Sequence, residues 1–485
     1  MPLKKWITRR PPRPDHQPVT VRKPLTVDRE IRSPDYDTLD WSTHARRLGE
    51  FLVFRTDTPV TLGIQGDWGS GKSSFINLIE ATLGQQQPAQ THETYYLAPQ
   101  LHHYHCTDPE DPATTAHAYV LRFDSWTFAQ SSYEADDLFP LYVTQVIEHY
   151  LRACGRFQSD TPTFRSLMQW GSKVGRLALT AVANVAGDAT SEAVQRELAN
   201  ASTQAVDMLS SFKTDFQRLV NNLLAHDGMH YPDRLIIIVD DLDRIAPRSA
   251  VELTEKIKVL LDVQGVVFVL SADLTIIQEG LRDKFGDAAS ASHGKPYLDK
   301  IVKIQYPVPP LTAHDLVNLA RGYRRFCSVF GLAPDTTPDS LTPTLPFQLL
   351  RAFPDIGGNI RNSKRVFTNF EFRLSLSRAT ESASPPRLAL PLLALTILTQ
   401  YDDDLARRFH HWAVRQEGPV PWPSSDEPLS PAAFAARLCA ELGYTTSEPQ
   451  ELMAIGTFFT LLQPRQYTPE EWRTAGRAAA LGAGA

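Results

Sequence analysis

The chain is poor in cysteine and methionine, with 4 and 5 of these residues in 485. Cys106, Cys154, Cys327 and Cys439 lie far apart and form no C-x-x-C pair. That spacing excludes a disulfide framework and fits a reducing compartment, with the cytoplasm the expected location. Long apolar runs are missing too: no stretch reaches the ~18 residues that span a bilayer. The nearest are Leu177 to Ala186, interrupted by Thr180 and Asn184, and Leu388 to Leu398, interrupted by Pro391. Both read as buried helix segments. The N-terminus is basic, but no apolar stretch follows it, so it does not read as a secretory signal. A large charge of one sign is also absent. Lys and Arg number 49 against 55 Asp and Glu, leaving −6, so the whole chain is not a polyanion binder by bulk attraction. No G-x-S-x-G elbow is present to support serine-nucleophile chemistry.

What is there is a phosphate loop. Gly66-Asp67-Trp68-Gly69-Ser70-Gly71-Lys72-Ser73 fits G-x-x-x-x-G-K-[ST] in full, with an apolar run from Pro59 to Ile64 before it and a helix-like run, Ser74 to Glu80, after it. The flanks carry weight because such a loop works only as a strand–loop–helix unit. Glycines let successive N–H groups turn inward toward phosphate oxygens, and the helix N-terminus adds partial positive charge. Lys72 is expected to reach the β- and γ-phosphates and Ser73 to take a Mg²⁺ position. The guanine-reading strings N-K-x-D and T-K-x-D do not occur, which favours ATP.

A chain of this length implies two or three domains. Residues 1–34 form a basic, proline-rich arm, a possible contact to nucleic acid or otherwise a solvated tail. Helical spacing of Trp41, Ala45, Leu48 and Leu52 marks a core-facing helix between Asp35 and Phe54. Strand-like runs follow at 59–64, 119–124, 235–239, 266–270 and 301–306, with a helix expected from Ala250 to Leu261. The third and fourth runs are continuously apolar, as strands buried on both faces of a parallel sheet are. The reading is an α/β P-loop NTPase core over 35–130 and 229–310, a helical insert at 131–228, a helical lid at 311–375 and a C-terminal helical region at 376–485. Breaks are expected near 332–347 and 380–391, and a frayed end from Gly476 to Ala485.

The 235–239 run ends in Asp240-Asp241-Leu242-Asp243-Arg244. Acids at the C-terminal edge of a strand sit where ligands bind in open α/β sheets. Asp240 is the expected Mg²⁺ partner opposite Ser73, and Asp241 the group that orients or deprotonates the attacking water. Asp241 is shorter than the Glu common at this place, which points to slow turnover. Asp243 and Arg244 read either as chemistry or as a local ion pair or helix cap. Leu101-His102-His103-Tyr104-His105-Cys106 reads as a polar loop, since no second ligand cluster at finger-like spacing accompanies it.

Together, the loop from Gly66 to Ser74 and the Asp240–Arg244 cluster resemble the KAP family of P-loop NTPases. Phe123-Asp124-Ser125-Trp126 resembles that family's Phe-Asn-Ala-Trp element, with Asp124 in place of Asn. Ile257 to Asp273 resembles its helix and fourth strand, and Tyr297 to Pro310 its fifth-strand region. The resemblance implies an ASCE-type sheet, in which an extra strand separates the loop strand from the acid-bearing strand. It also implies ATP as nucleotide and Ser271 or Asp273 as a γ-phosphate sensor. Arg361 in Asn359-Ile360-Arg361-Asn362-Ser363-Lys364-Arg365 resembles a lid arginine, with Ile360 where the family has Pro. Many members carry transmembrane helices in the insert, whereas this insert lacks the hydrophobicity. Bacterial members often sit in systems that exclude phage or mobile DNA, so the partners implied are other copies of the chain or a defence-system effector.

Three readings compete. One is a Mg²⁺-ATPase with Lys72, Asp241 and Arg244 as catalytic groups, driving conformational change in a complex. The second is an ATP-bound switch or scaffold with little turnover, and the third a nucleic-acid-binding module using residues 1–34.

Overall fold

The computed structural model describes residues 30–84, 87–88, 100–129, 135–158, 162, 210–225, 233–258, 262–285, 301–333, 337–342, 344–377, 385–416, 429–446, 448–462 and 467–479. Residues 1–29 of the 1–34 arm and most of the expected insert, including 163–209, lie outside the described residues. The described chain forms two compact units. One comprises 30–311 with 359–361, and the other 312–358 with 362–485.

The first unit is built on a sheet of seven strands. They are β1 (Val60–Gln65), β2 (Gln87–Pro88), β3 (Leu101–Thr107), β4 (Thr115–Asp124), β5 (Arg234–Asp240), β6 (Val266–Ala272) and β7 (Ile304–Pro307). Their spatial order is β2-β3-β4-β5-β6-β1-β7. β4, β5, β6, β1 and β7 run parallel, while β3 and β2 add an antiparallel edge. β6 lies between the loop strand β1 and the acid-bearing β5, so the expected extra strand is in place. Every residue of β6 is buried, as is all of β5 except Asp240 at its tip. That is why both read as unbroken apolar runs instead of alternating ones.

Two helices fix the loop. α1 (Trp41–Glu50) buries Trp41, Ala45 and Gly49, and its last turn widens over Phe51–Arg55. α2 (Lys72–Gly84) starts at the loop's lysine and buries Phe75, Ile76, Leu78 and Ile79. Trp41 meets Phe75 edge-on at 5.8 Å, and Phe75 stacks on Tyr306 at 5.3 Å. A second layer, from Ala135–Ala153, the helix at 210–224 and Pro247–Lys256, covers part of the sheet with Phe139, Ile147, Phe212, Phe216, Leu219 and Val251.

Several expectations need correction. The histidine segment is not a loop but β3, paired with β4. The second expected strand starts at Thr115, before Tyr119, and the fifth is shorter, because Ile301 ends a helix and pairing begins at Ile304. The 380–391 break is shorter too, since Pro385–Tyr401 is one helix. The end of the chain is ordered further than expected. In the helix Pro469–Ala478, Trp472, Ala475, Gly476 and Ala478 are buried.

The second unit is helical in all its described elements. Phe326 packs against Phe330, Phe367 and Phe370, and Phe409 against Phe459 and Trp472. The buried Glu371 carboxylate accepts from the Arg325 and Phe326 N–H groups and so caps the helix Arg324–Val329. A cavity of about 280 Å³ is lined in part by Asp355, Asp402, Tyr444 and Glu451. Asp402 caps the helix Asp403–Val414 and accepts from Tyr444, and Thr446 donates to Glu451, so two of the three acids serve the fold.

Candidate functional site

The loop crosses from β1 to α2 at the C-terminal edge of the sheet. Gly69 and Gly71 take φ of 86° and 100°, the left-handed region that a side chain disfavours. Space closes the case against substitution. A Cβ on Gly66 would come within 2.5 Å of Ser70 Oγ, and one on Gly71 within 2.9 Å of Trp41 and Ile360. Ser70 Oγ is buried and has no hydrogen-bond partner among the described residues. A buried hydroxyl left in that state is costly unless a ligand or water supplies the bond.

Lys72 is almost fully buried. Its ammonium donates to the Gly66 carbonyl at 2.8 Å and the Asp67 carbonyl at 3.3 Å, and pairs with Asp243 Oδ2 at 2.8 Å. Ser73 Oγ donates to Asp240 Oδ1 at 3.2 Å. The hydroxyl expected at a cation and the carboxylate expected to hold it are therefore adjacent. Ser74 Oγ accepts from the Ile31 N–H at 3.2 Å, which ties the last residues of the expected arm to α2.

Beyond β5 the chain turns sharply. Asp241 has φ 58°, which costs a non-glycine residue roughly 1 kcal/mol. Its N–H donates to Asp240 Oδ1 at 2.9 Å, and its carboxylate pairs with Arg244 Nε at 3.0 Å. Burial and the Asp240 charge push the Asp241 carboxyl up to about 6, against the pull of Arg244. Asp243 and Arg244 do not pair with each other; each finds another partner, Lys72 and Asp241. The reason is the tight turn over Leu242–Arg244, with Asp243 as buried as Lys72.

Asp124 is in register with Asp240 on the neighbouring strand. It accepts from the N–H groups of Trp126 and Thr127 and from the Thr127 hydroxyl, and so opens the helix Ser125–Ala129. Four carboxylates, Asp124, Asp240, Asp241 and Asp243, thus gather near one lysine and one arginine, an excess of two negative charges. Such an excess, beside a serine hydroxyl, suits a hard divalent cation. Among the described residues no group of three or more His, Cys, Asp or Glu side chains is set to hold a metal ion. Mg²⁺ needs no such cage, because it keeps waters and takes substrate phosphates as ligands.

Ser271 is buried in β6, in register with Ile64 of β1, one residue before the strand ends. Asp273 accepts from the Thr275 N–H and hydroxyl at the start of the helix Leu274–Phe285. The outer side of the loop is held by residues 359–361. Asn359 donates to the Trp68 carbonyl at 2.9 Å, the Arg361 N–H donates to the Gly69 carbonyl at 3.2 Å, and the Arg361 guanidinium lies 4.5 Å from the centre of the Trp68 ring. Trp68 is therefore a platform for Arg361, a role its position in the motif does not disclose. Asn359 and Asp124 were not among the expected site residues. Asn359 lies about 290 positions from Trp68 in sequence and gave no local signal.

Among the described residues the histidines of β3 form no metal-holding group. Alternation along the strand sends His102 to one face and His103 and His105, both against His117, to the other. His102 meets Glu80 at 2.6 Å, while His103 meets His117 at 2.9 Å and Tyr150 at 3.0 Å.

Comparison with known proteins adds the following. The KAP family P-loop domain matches residues 42–322, more than half of the chain. The phage T7 exclusion protein of Escherichia coli strain K12 is 24% identical over 302 residues. That stretch is 60% of this chain and 35% of the relative, so the chain spans about a third of that protein's length. The ORC2 protein of Aeropyrum pernix, solved in ADPNP–ADP complexes, aligns with 91% of this chain and 97% of its own at 12% identity and a TM-score of 0.30. A likeness that distant carries no argument. Among the described residues no helix is long and apolar enough to cross a membrane.

Proposed function

The chain belongs to the KAP family of P-loop NTPases, and from that premise we propose that it binds ATP with Mg²⁺ at the C-terminal edge of its sheet and hydrolyses it. The observation that carries the proposal is the meeting of Lys72, Ser73, Asp240 and Asp241 at one strand edge, beside the unpartnered Ser70 hydroxyl. The N–H groups of the loop from Gly66 to Ser74 cradle the phosphates, and Lys72 contacts the outer two. Ser73 and Asp240 would hold the cation, which would supply neutralisation of phosphate charge. Asp241 takes the proton of the attacking water, and its raised pKa suits a base working near neutrality. Arg244 sets the Asp241 carboxylate and adds positive charge near the terminal phosphate. Ser271 or Asp273, at the tip of β6, senses the γ-phosphate, and Arg361 reads the state of the loop through Trp68 and Gly69.

Hydrolysis in this scheme drives conformational change in a multi-protein complex of the cytoplasm, built from copies of the chain or with an effector. The likeness to a phage exclusion protein supports a role in excluding phage or mobile DNA. A core at 35–130 and 229–310, an insert at 131–228, a lid at 311–375 and a terminal helical region are the proposed divisions. A nucleic-acid contact through residues 1–34 is a secondary proposal; deleting them should abolish salt-dependent DNA binding if it is right.

One observation favours a switch that holds ATP with little turnover: the short Asp241 carboxylate is bound to Arg244 at 3.0 Å. Steady-state ATPase assay and analysis of co-purified nucleotide separate the two. Turnover that requires Mg²⁺ supports the ATPase; retained ATP with negligible turnover supports the switch. Neither binding nor turnover would remove both.

A further inference from the structure

We infer that Asp243 is a positioning residue that latches Lys72 while the loop holds no phosphate, and that a β- or γ-phosphate binds by taking its place. The inference rests on the ATP reading above. A lysine ammonium has three N–H donors. Here the Lys72 ammonium donates to the Gly66 carbonyl at 2.8 Å and the Asp67 carbonyl at 3.3 Å, and its charge is paired with the Asp243 carboxylate at 2.8 Å. A phosphate oxygen reaching Lys72 competes with these three neighbours. The two carbonyls belong to the loop itself, whose shape is fixed by the left-handed Gly69 and Gly71 and by the bonds from Asn359 and Arg361. Asp243 is the exchangeable partner. It stands on a separate turn, it is an anion, and it therefore mimics the charge and acceptor geometry of a phosphate oxygen.

The arrangement has two consequences. Asp243 neutralises a buried ammonium, with side-chain exposure of 6% for both residues. It also competes with the ligand, so each phosphate that contacts Lys72 binds less tightly than the bare loop would allow. Ligands that do not reach Lys72 feel no such competition. Discrimination between AMP and the di- and triphosphates is thereby lowered by a residue outside the loop motif.

The test is calorimetric titration of the full-length protein with AMP, ADP and ATP in the presence of Mg²⁺, comparing wild type with Asp243→Asn, Asp243→Ser and Asp243→Glu. Removing a charged competitor should tighten ADP and ATP by about tenfold. AMP affinity should stay unchanged, and Asp243→Glu, which keeps the charge, should stay near wild type. A residue that merely supports the fold would lower the melting temperature without altering the ATP-to-AMP ratio. Equal or weaker ATP binding in Asp243→Asn overturns the latch. So does equal tightening of all three nucleotides, which is a general charge effect, and so does loss of folding in both neutral variants. If wild type binds no nucleotide, the ATP reading fails and the latch with it. That result is distinct from a wild type that binds ATP and an Asp243→Asn variant that gains nothing.

Discussion

The two ends of α2 put buried charge to opposite uses. Two turns into the helix, the Glu80 carboxylate meets His102 Nδ1 at 2.6 Å, Arg122 Nε at 2.6 Å and Tyr104 Oη at 3.2 Å. Burial works against its ionisation, but the His102 hydrogen bond and the Arg122 charge outweigh it and hold the carboxyl at about 2. At the helix N-terminus, four carboxylates share one lysine and one arginine, and Asp241 is pushed up to about 6. The Glu80 cluster is closed: one anion, with cation and donors enough to satisfy it. The tip is open, with surplus negative charge, an unpartnered Ser70 hydroxyl and a strained backbone at Asp241. Closed clusters hold a fold together, and open ones hold out bonding capacity to a ligand.

That contrast can be broken most sharply at Asp241. Asp241→Asn should lower ATP turnover by about 10²–10⁴-fold while ATP stays bound. In wild type, kcat/KM should rise with pH and level off above about 6, because the base must be ionised. The same raised pKa runs the other way for stability. The protonated form is favoured in the fold, so this contribution is present below about pH 4 and lost as pH rises through about 6. Unchanged turnover in Asp241→Asn would remove it from the mechanism.

Lys72→Ala comes next, with ATP affinity reduced about 100-fold through loss of two charge-assisted phosphate contacts. Equilibrium titration checks it. Glu80→Gln probes the closed cluster. The shift from 4.5 to about 2 corresponds to roughly 3–4 kcal/mol of stability at neutral pH. That stability is present above about pH 4.5 and lost as pH falls toward 2. Denaturant unfolding should show the loss, and ATP affinity should not change. A fall in ATP affinity without a fall in stability would erase the distinction between the two ends. The smallest effect is expected from Arg361→Ala. A half-exposed cation–π contact is worth about 0.5–1 kcal/mol, so ATP affinity should weaken about threefold.

The loop and the acid-bearing strand were legible because each depends on local pattern, glycines at fixed offsets and an apolar run ending in acids, whereas the strand between them came from the family resemblance. What was not legible depends on distant pairing. Nothing near Trp68 announces Arg361 or Asn359. The partner of Asp243 stays open in the sequence, because Arg244 is its neighbour while Lys72 is 171 positions away. β3 reads as a loop in the sequence because histidine and tyrosine obscure its alternation. The pattern shows only when Glu80 is known to face one side and Tyr119 and Tyr150 the other.

The central claim is that the surplus negative charge at the sheet edge makes this a site for ATP accompanied by a divalent cation. ATP titration into the full-length protein with Mg²⁺ and then with EDTA tests it directly. Binding that weakens at least about tenfold in EDTA is the predicted result. ATP bound equally well without a divalent cation, or not bound in either buffer, would contradict it.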